Sequence, residues 1–192
     1  MTTDAEHRKR ALRAELRERR QNLTSSEQEH ASAGLTENLQ SLTLGLSARS
    51  VACYLSAPSE PDTRPFLSWA RAEGIRVLFP VSREDGLLDW TVGEDGVELV
   101  GMFGMPEPSG ELLSPLAIND VDLILVPAAA IGRDGMRMGW GKGYFDKTLG
   151  SMEKCPPVYA VVYDSELVDE VPRERHDQPV DGVVTPDRII DF

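Results

Sequence analysis

Apolar residues follow two different rhythms along this chain. Up to about residue 42 they are sparse and spaced for helices, and from residue 51 they come as short continuous runs punctuated by glycine and proline. Residues 4–22 are strong helix formers with a narrow apolar stripe of Leu12 and Leu16, which predicts one largely polar helix. Lys9, Arg13 and Arg17 recur every four residues there and share a face. Thr24-Ser25-Ser26-Glu27 has the form of a capping box and predicts a second helix to about Leu42, with Gly45 helping to end it. Residues 51–56 read as a strand, 63–73 as a helix closed by Gly74 and 76–81 as a second strand, together one β-α-β unit. Residues 87–92 and 97–100 suit short edge strands. The most hydrophobic run, 121–127, suits a central parallel strand. A helix then begins at residues 144–149 and is stopped by Pro156-Pro157, a buried strand follows over 158–163, a helical turn over 165–169 and a last strand over 183–185. The alternation predicts an α/β fold around a mostly parallel sheet.

Length adds that 192 residues suffice for one well-buried core, so the expectation is a single domain over 1–192 in which residues 1–46 form a helical extension on an α/β body. No apolar run approaches the roughly 20 residues that span a bilayer, and no membrane partner is expected. The polar N-terminus has no apolar leader segment, and the two cysteines, Cys53 and Cys155, are few; both points favour a reducing cytoplasm. A net charge of −12 argues against nucleic acid, whose nonspecific binding depends on phosphate neutralisation. That charge is unevenly spread. Residues 1–21 hold seven of the 20 basic side chains against four acids, while the remainder carries 13 basic against 28 acidic, a net of −15. The basic helix therefore either lies across the acidic body or supplies cations to an anionic ligand.

The candidate chemistry concentrates in Gly135-Met136-Arg137-Met138-Gly139-Trp140-Gly141-Lys142-Gly143-Tyr144-Phe145-Asp146. Alternating glycines let a ligand approach the backbone and permit positive φ, which turns successive N–H groups toward one point. Arg137 and Lys142 bring two cations to the same loop, and backbone donors with Lys and Arg are a recurring phosphate-binding solution. Since the loop follows the apolar run 121–131, it is expected at a strand's carboxyl end, where open α/β sheets hold ligands. It fits neither the Walker pattern, because Gly143 follows Gly141-Lys142 where Ser or Thr is required, nor the dinucleotide fingerprint, because Tyr144 replaces its last glycine. Asp146 suits either a Mg²⁺ ion or a helix's first turn. Glu60 stands between two prolines, and Asp177 and Asp181 flank a Gln-Pro dipeptide; ligand contact and ordinary turn chemistry both remain open for these. The loop 101–108, with its two prolines, methionines and Phe103, suits a flat apolar ligand as well as local packing.

Taken jointly, Lys9-Arg10-Ala11-Leu12-Arg13, Tyr54-Leu55-Ser56 with Glu60, Gly104-Met105-Pro106-Glu107-Pro108, the 135–146 stretch, and His176-Asp177 with Asp181 resemble the 5-formyltetrahydrofolate cyclo-ligase family in order and spacing. The resemblance implies a cytoplasmic, ATP- and Mg²⁺-dependent enzyme that converts 5-formyltetrahydrofolate into 5,10-methenyltetrahydrofolate with ADP and phosphate. Its fold would be three-layer α/β/α, its partner a reduced folate, and its state a monomer or weak dimer. The formyl oxygen would attack the γ-phosphate, and N10 would then displace phosphate as the ring closes.

By the same resemblance, Lys9, Arg10 and Arg13 look like ATP contacts. So do Arg137, Met138, Gly139, Trp140, Gly141, Lys142, Gly143, Tyr144 and Phe145, with Arg137 and Lys142 as the principal transition-state cations. Leu55 and Glu60 look like folate contacts, joined by residues 140–144, and Asp146 and Asp177 like magnesium ligands. One departure is visible: the family's aromatic-Asp pair before the loop is Ile131-Gly132 here, with Asp134 two residues on. A non-catalytic nucleotide- or folate-binding homologue is the alternative that this departure motivates. A sugar-phosphate site is a third reading, by fold analogy alone.

Overall fold

The computed structural model describes residues 4–93, 97–152 and 155–192. Helix α1 spans Asp4–Gln21 and α2 Ser25–Gly45. The Thr24 capping box forms as expected: its hydroxyl accepts from the Glu27 N–H, and the Glu27 carboxylate accepts from the Thr24 N–H at 2.8 Å. Gly45 remains inside α2, and the left-handed residue that turns the chain is Ser47 (φ 52°). Strand β1 (Ser50–Ala52) is shorter than the apolar run because beyond Cys53, whose N–H still bonds Leu78, the chain bends off the sheet. Helix α3 (Arg64–Ala72), closed by Gly74 at φ 72°, leads to β2 (Arg76–Ser82), which lies parallel to β1.

Strand β3 (Leu88–Thr91) pairs antiparallel with β2, whereas β4 (Glu98–Val100) pairs with β5 (Pro106–Pro108) in a separate ribbon. The central run forms β6 (Leu123–Pro127). The chain then departs from expectation: instead of passing directly into the glycine loop it makes a hairpin, β7 (Ala130–Gly132) with β8 (Arg137–Met138). Helix α4 spans Tyr144–Ser151, followed by β9 (Val158–Val161), β10 (Leu167–Val168), β11 (Gly182–Val184) and β12 (Ile189–Asp191). The short strands β7, β8, β10 and β12 escape a reading of periodicity because two or three residues carry none.

The main sheet has seven strands in the order β12-β11-β9-β6-β1-β2-β3, with five parallel strands inside and an antiparallel strand at each edge. Alternate side chains feed two cores. On one face Leu35, Leu39, Phe66 and Leu67 of α2 and α3 meet Val51, Val77, Phe79, Leu123 and Leu125. On the other, Leu149 of α4 and Ile118 meet Leu78, Ile124, Val126, Ala160 and Val183. The result is the three-layer α/β/α arrangement expected. A third cluster seats Leu16 of α1 against Ala129, Ala130, Met138 and Val171, so α1 packs on the small sheet β10-β7-β8.

Chain order reverses between β1 and β6: from β1 the connection goes outward to β2, while β6 leads the other way to β9 and β11. The crevice at the carboxyl ends of those two strands is the topological switch point, where such sheets bind ligands.

Packing at the outer layer is close enough to test. A Cβ on Gly34 of α2 would lie 2.4 Å from the Pro186 carbonyl oxygen, and Asn38 Nδ2 holds the same turn by donating to Thr185 O at 2.9 Å. In an open helix Gly→Ala stabilises by about 0.5–1 kcal/mol. Gly34→Ala is expected to destabilise instead, by about 1–3 kcal/mol in urea unfolding, because backbone must move.

Candidate active site

A cavity of about 310 Å³ opens at the switch point. Tyr54, Leu55 and Glu60 line it from the end of β1, Phe103, Met105 and Glu107 from the ribbon side, and Arg137, Gly139, Trp140, Lys142, Gly143, Tyr144, Phe145 and Asp146 from the glycine loop. The hairpin returns the loop to this place: Ala129 N–H donates to Met138 O at 2.7 Å, and Arg137 Nη1 donates to the carbonyl of Pro127, the last residue of β6, at 3.0 Å.

Three glycines of the stretch take positive φ, Gly135 (77°), Gly141 (99°) and Gly143 (73°), and the last opens α4. Gly139 is needed for another reason, since a Cβ there would lie 2.9 Å from Arg137 Nη1. Arg137 is buried beneath the loop and donates Nη2 to Asp146 Oδ1 at 2.7 Å, while its Nε has no hydrogen-bond partner among the described residues. Lys142 is solvent-exposed and holds its Nζ 3.7 Å from the ring centroid of Phe103, a cation–π contact. Phe103 itself adopts φ 62°, a left-handed conformation unusual for an aromatic residue. Met138, expected at the ligand, turns into the small core instead.

Helix α1 closes the site from outside. Arg13 Nε donates to Gly139 O at 2.8 Å, and its guanidinium packs 3.3 Å from where a Gly141 Cβ would stand. Burial lowers the Arg13 pKa, against the opposing pull of Asp177, Glu174 and Asp146, which places those carboxylates in its field. Lys9, only 4% exposed, donates to Asp177 Oδ2 at 2.6 Å and Glu174 Oε2 at 2.9 Å. Arg10 is exposed on the same helix and lines no part of the cavity. Arg17 is exposed too, yet its guanidinium reaches within 5.4 Å of the Trp140 ring centroid.

The segment that carries the second of the two acids suggested as metal ligands meets the first: Gln178, next to Asp177, donates its N–H to Asp146 Oδ1 at 3.4 Å. Oδ2 of Asp146 accepts no hydrogen bond from the described residues, and Oδ1 of Asp177 has only His176 Nε2, 3.9 Å away. Each carboxylate thus keeps one oxygen for a hard cation, which fits magnesium's habit of one or two carboxylates beside substrate phosphates. Gly132, by contrast, lies at the hairpin tip near Asp134, Glu170 and Val171 and does not line the cavity. Asp134 is engaged there with the Met136 N–H and Arg173.

Glu60 is buried and accepts from Ala57 N–H at 2.9 Å through Oε2 alone. Burial pushes its pKa above the usual carboxylate value, and the Ala57 hydrogen bond offsets part of that. Tyr54 is a site residue that sequence reasoning passes over as strand core. Its hydroxyl is buried beside the cavity without a partner among the described residues, and burial holds its pKa well above the ordinary phenol, so it stays a donor. Trp140 Nε1 is likewise unpartnered.

A larger hollow of about 1020 Å³ lies between α2 and the β4-β5 ribbon and shares Glu60 and Pro106 with the first. Its ionisable lining is Glu29, Glu37, Glu60, Asp62 and Glu98 with Arg64, itself paired to Glu98. Such a lining repels an anionic ligand, so size does not identify the site here.

Comparison with known proteins gives a consistent result. Residues 5–186 match the model of the 5-formyltetrahydrofolate cyclo-ligase family. A 5-formyltetrahydrofolate cyclo-ligase of Mycolicibacterium smegmatis is 39% identical over 150 residues, 76% of this chain and 77% of that protein. The protein of the same name from Escherichia coli K12 is 28% identical over 91% of this chain and 98% of its own. Among solved structures, a 5,10-methenyltetrahydrofolate synthetase of Aquifex aeolicus superposes with a TM-score of 0.78 at 30% identity, covering 95% of this chain and 92% of that one.

Lys9 gives a stability test of the site. Replacing it with Met leaves buried Asp177 without its cation, and breaking a buried pair from one side costs about 3–5 kcal/mol. Lys9→Met is expected to unfold at correspondingly lower urea, and addition of MgCl₂ to restore part of the loss by supplying a cation at Asp177.

Proposed function

The chain belongs to the 5-formyltetrahydrofolate cyclo-ligase family and is an ATP-using C–N ligase that closes 5-formyltetrahydrofolate to 5,10-methenyltetrahydrofolate; from that premise we propose how its residues carry out the reaction. The observation that supports the reading best is a single loop, residues 137–146, that presents two cations, backbone donors and a carboxylate to a cavity whose far wall is Tyr54, Leu55 and Glu60.

The formyl group on N5 is amide-like, so its oxygen leaves poorly. Its attack on the γ-phosphorus of ATP forms an O–P bond, breaks the bond to ADP and converts that oxygen into a phosphate leaving group. N10 then bonds to the formyl carbon, inorganic phosphate departs, and the N10 proton passes to solvent, giving the methenyl cation. Negative charge moves along the phosphoryl group throughout, so its stabilisation by fixed cations is the main catalytic demand. Arg137 would meet it from beneath the loop through a guanidinium fixed by Pro127 O and Asp146, and Lys142 from above after leaving Phe103. From α1, Arg13 meets the loop at Gly139 O, and Lys9 holds Asp177. Mg²⁺, held by the free oxygens of Asp146 and Asp177, would neutralise phosphate charge. Glu60 suits the pterin N–H groups, and residues 140–144 border both reactants. We read residues 1–192 as one domain. Gly132 lies outside the cavity, which removes the motive for a non-catalytic homologue.

Protein mixed with ATP, MgCl₂ and 5-formyltetrahydrofolate should form the methenyl product, followed by absorbance, with one ADP per turnover; absence of product from folded protein refutes the reading. Arg137→Ala and Lys142→Ala should each lower kcat by roughly 10²–10³ if they stabilise transition-state charge. Ionised Glu60 accepts N–H groups at both oxygens, whereas protonation turns one of them into a donor, and its raised pKa brings that protonation in at a pH above the ordinary 4.5. KM for the folate should therefore climb on acidification before ordinary carboxylates titrate, and Glu60→Gln should flatten that climb.

A further inference from the structure

Arg20, near the end of α1, is 3% exposed, and its carboxylate partner Glu166 is 2% exposed. The pair is bidentate, with Nε to Oε1 at 2.6 Å and Nη2 to Oε2 at 2.9 Å, and Nη2 also donates to Ala128 O at 3.1 Å. Burial opposes the Arg20 charge, but the hydrogen bonds and field of Glu166 outweigh it and raise the arginine's pKa. None of these groups lines the cavity. They touch both of its walls nonetheless. The Arg20 guanidinium lies 4.7 Å from the Trp140 ring centroid, so the aromatic residue of the glycine loop rests on it. The same guanidinium lies 5.6 Å from the Tyr163 ring, whose hydroxyl donates to the Glu60 carbonyl at 3.2 Å, and Glu166 Oε2 accepts the Tyr163 N–H at 2.8 Å.

One buried fork thereby fixes the aromatic face at Trp140 and, through Tyr163, the backbone that carries the Glu60 carboxylate, and these sit on different loops. A side chain that holds Glu60 and Trp140 at constant separation sets the width of the slot between them. We infer that Arg20 is a positioning residue for the folate, acting through Trp140 on one side and through Tyr163 and Glu60 on the other, and leaving the phosphate contacts alone. The inference rests on the folate reading of the cavity. It assigns α1 two separable duties: Lys9 and Arg13 face the nucleotide half, and Arg20 braces the pterin half. Lysine cannot reproduce the role, because it has neither the planar fork for Glu166 nor the flat face for Trp140.

Initial rates are to be measured with each reactant varied for wild type, Arg20→Lys and Tyr163→Phe, with melting temperatures recorded. Tyr163→Phe removes only the hydroxyl link to Glu60 from a half-buried ring and leaves the ion pair intact. KM for 5-formyltetrahydrofolate should rise roughly ten- to hundredfold in Arg20→Lys, the scale of one lost charge-assisted hydrogen bond, and severalfold in Tyr163→Phe, with KM for ATP changing far less in both because the cations at the phosphates are untouched. A general loosening of the fold would raise both KM values together, and that result, or no change in either variant, overturns the inference. If Arg20→Lys fails to fold, Tyr163→Phe decides. If the wild type makes no product, the functional reading fails first, and calorimetric affinities for 5-formyltetrahydrofolate and ADP test the same split.

Discussion

The site depends on a polar helix that is not free to leave. Helix α1 buries little apolar surface, chiefly Leu16 with Leu12 beside it, and it is held by cations set into the body. Lys9 enters an acidic notch at Asp177 and Glu174, Arg13 hooks the carbonyl of Gly139, and Arg20 locks onto Glu166. Removing any of these charges from water costs several kcal/mol unless a partner is well placed, so each contact is all or nothing. The charge asymmetry visible in the sequence, a basic first helix on an acidic remainder, is the long-range expression of that requirement. Of the two suggestions made for it, the structure shows the first: the helix lies across the acidic body, with Lys9 on Asp177 and Glu174 and Arg13 on the glycine loop.

The same constraint explains the glycines. Arg137 lies beneath residue 139 and Arg13 lies over residue 141, so the loop runs between two guanidinium groups that a Cβ at either position would crowd. Gly143 then turns the chain at positive φ into α4, whose first turn carries Asp146 back onto Arg137. The loop backbone and the cations on either side of it are thus one packed unit.

Much of this was legible in the residues. The parallel strands announce themselves as continuous apolar runs, the capping box marks α2, and the glycine loop with Arg137, Lys142 and Asp146 converges as the spacing predicts. The β7-β8 hairpin was not legible, because its turn lies between an apolar run and the glycine loop and reads as part of each. Met138 misleads for a related reason: in a two-residue strand one side chain faces the cavity and its neighbour faces the core. Arg20 looks like any arginine of a charged helix. Its only signal is the helical spacing of Lys9, Leu16 and Arg20, which puts all three on the inward face and moves that face away from the exposed Arg17.

The two hollows on either side of Glu60 offer a direct decision, since they differ in size, charge and neighbours. A crystal structure with a non-hydrolysable ATP analogue and 5-formyltetrahydrofolate tests the account at its centre. It should hold the triphosphate against the backbone of residues 139–143, between Arg137 and Arg13, with the pterin between Trp140 and Glu60. Nucleotide bound in the larger hollow beside α2, with the glycine loop empty, would contradict it.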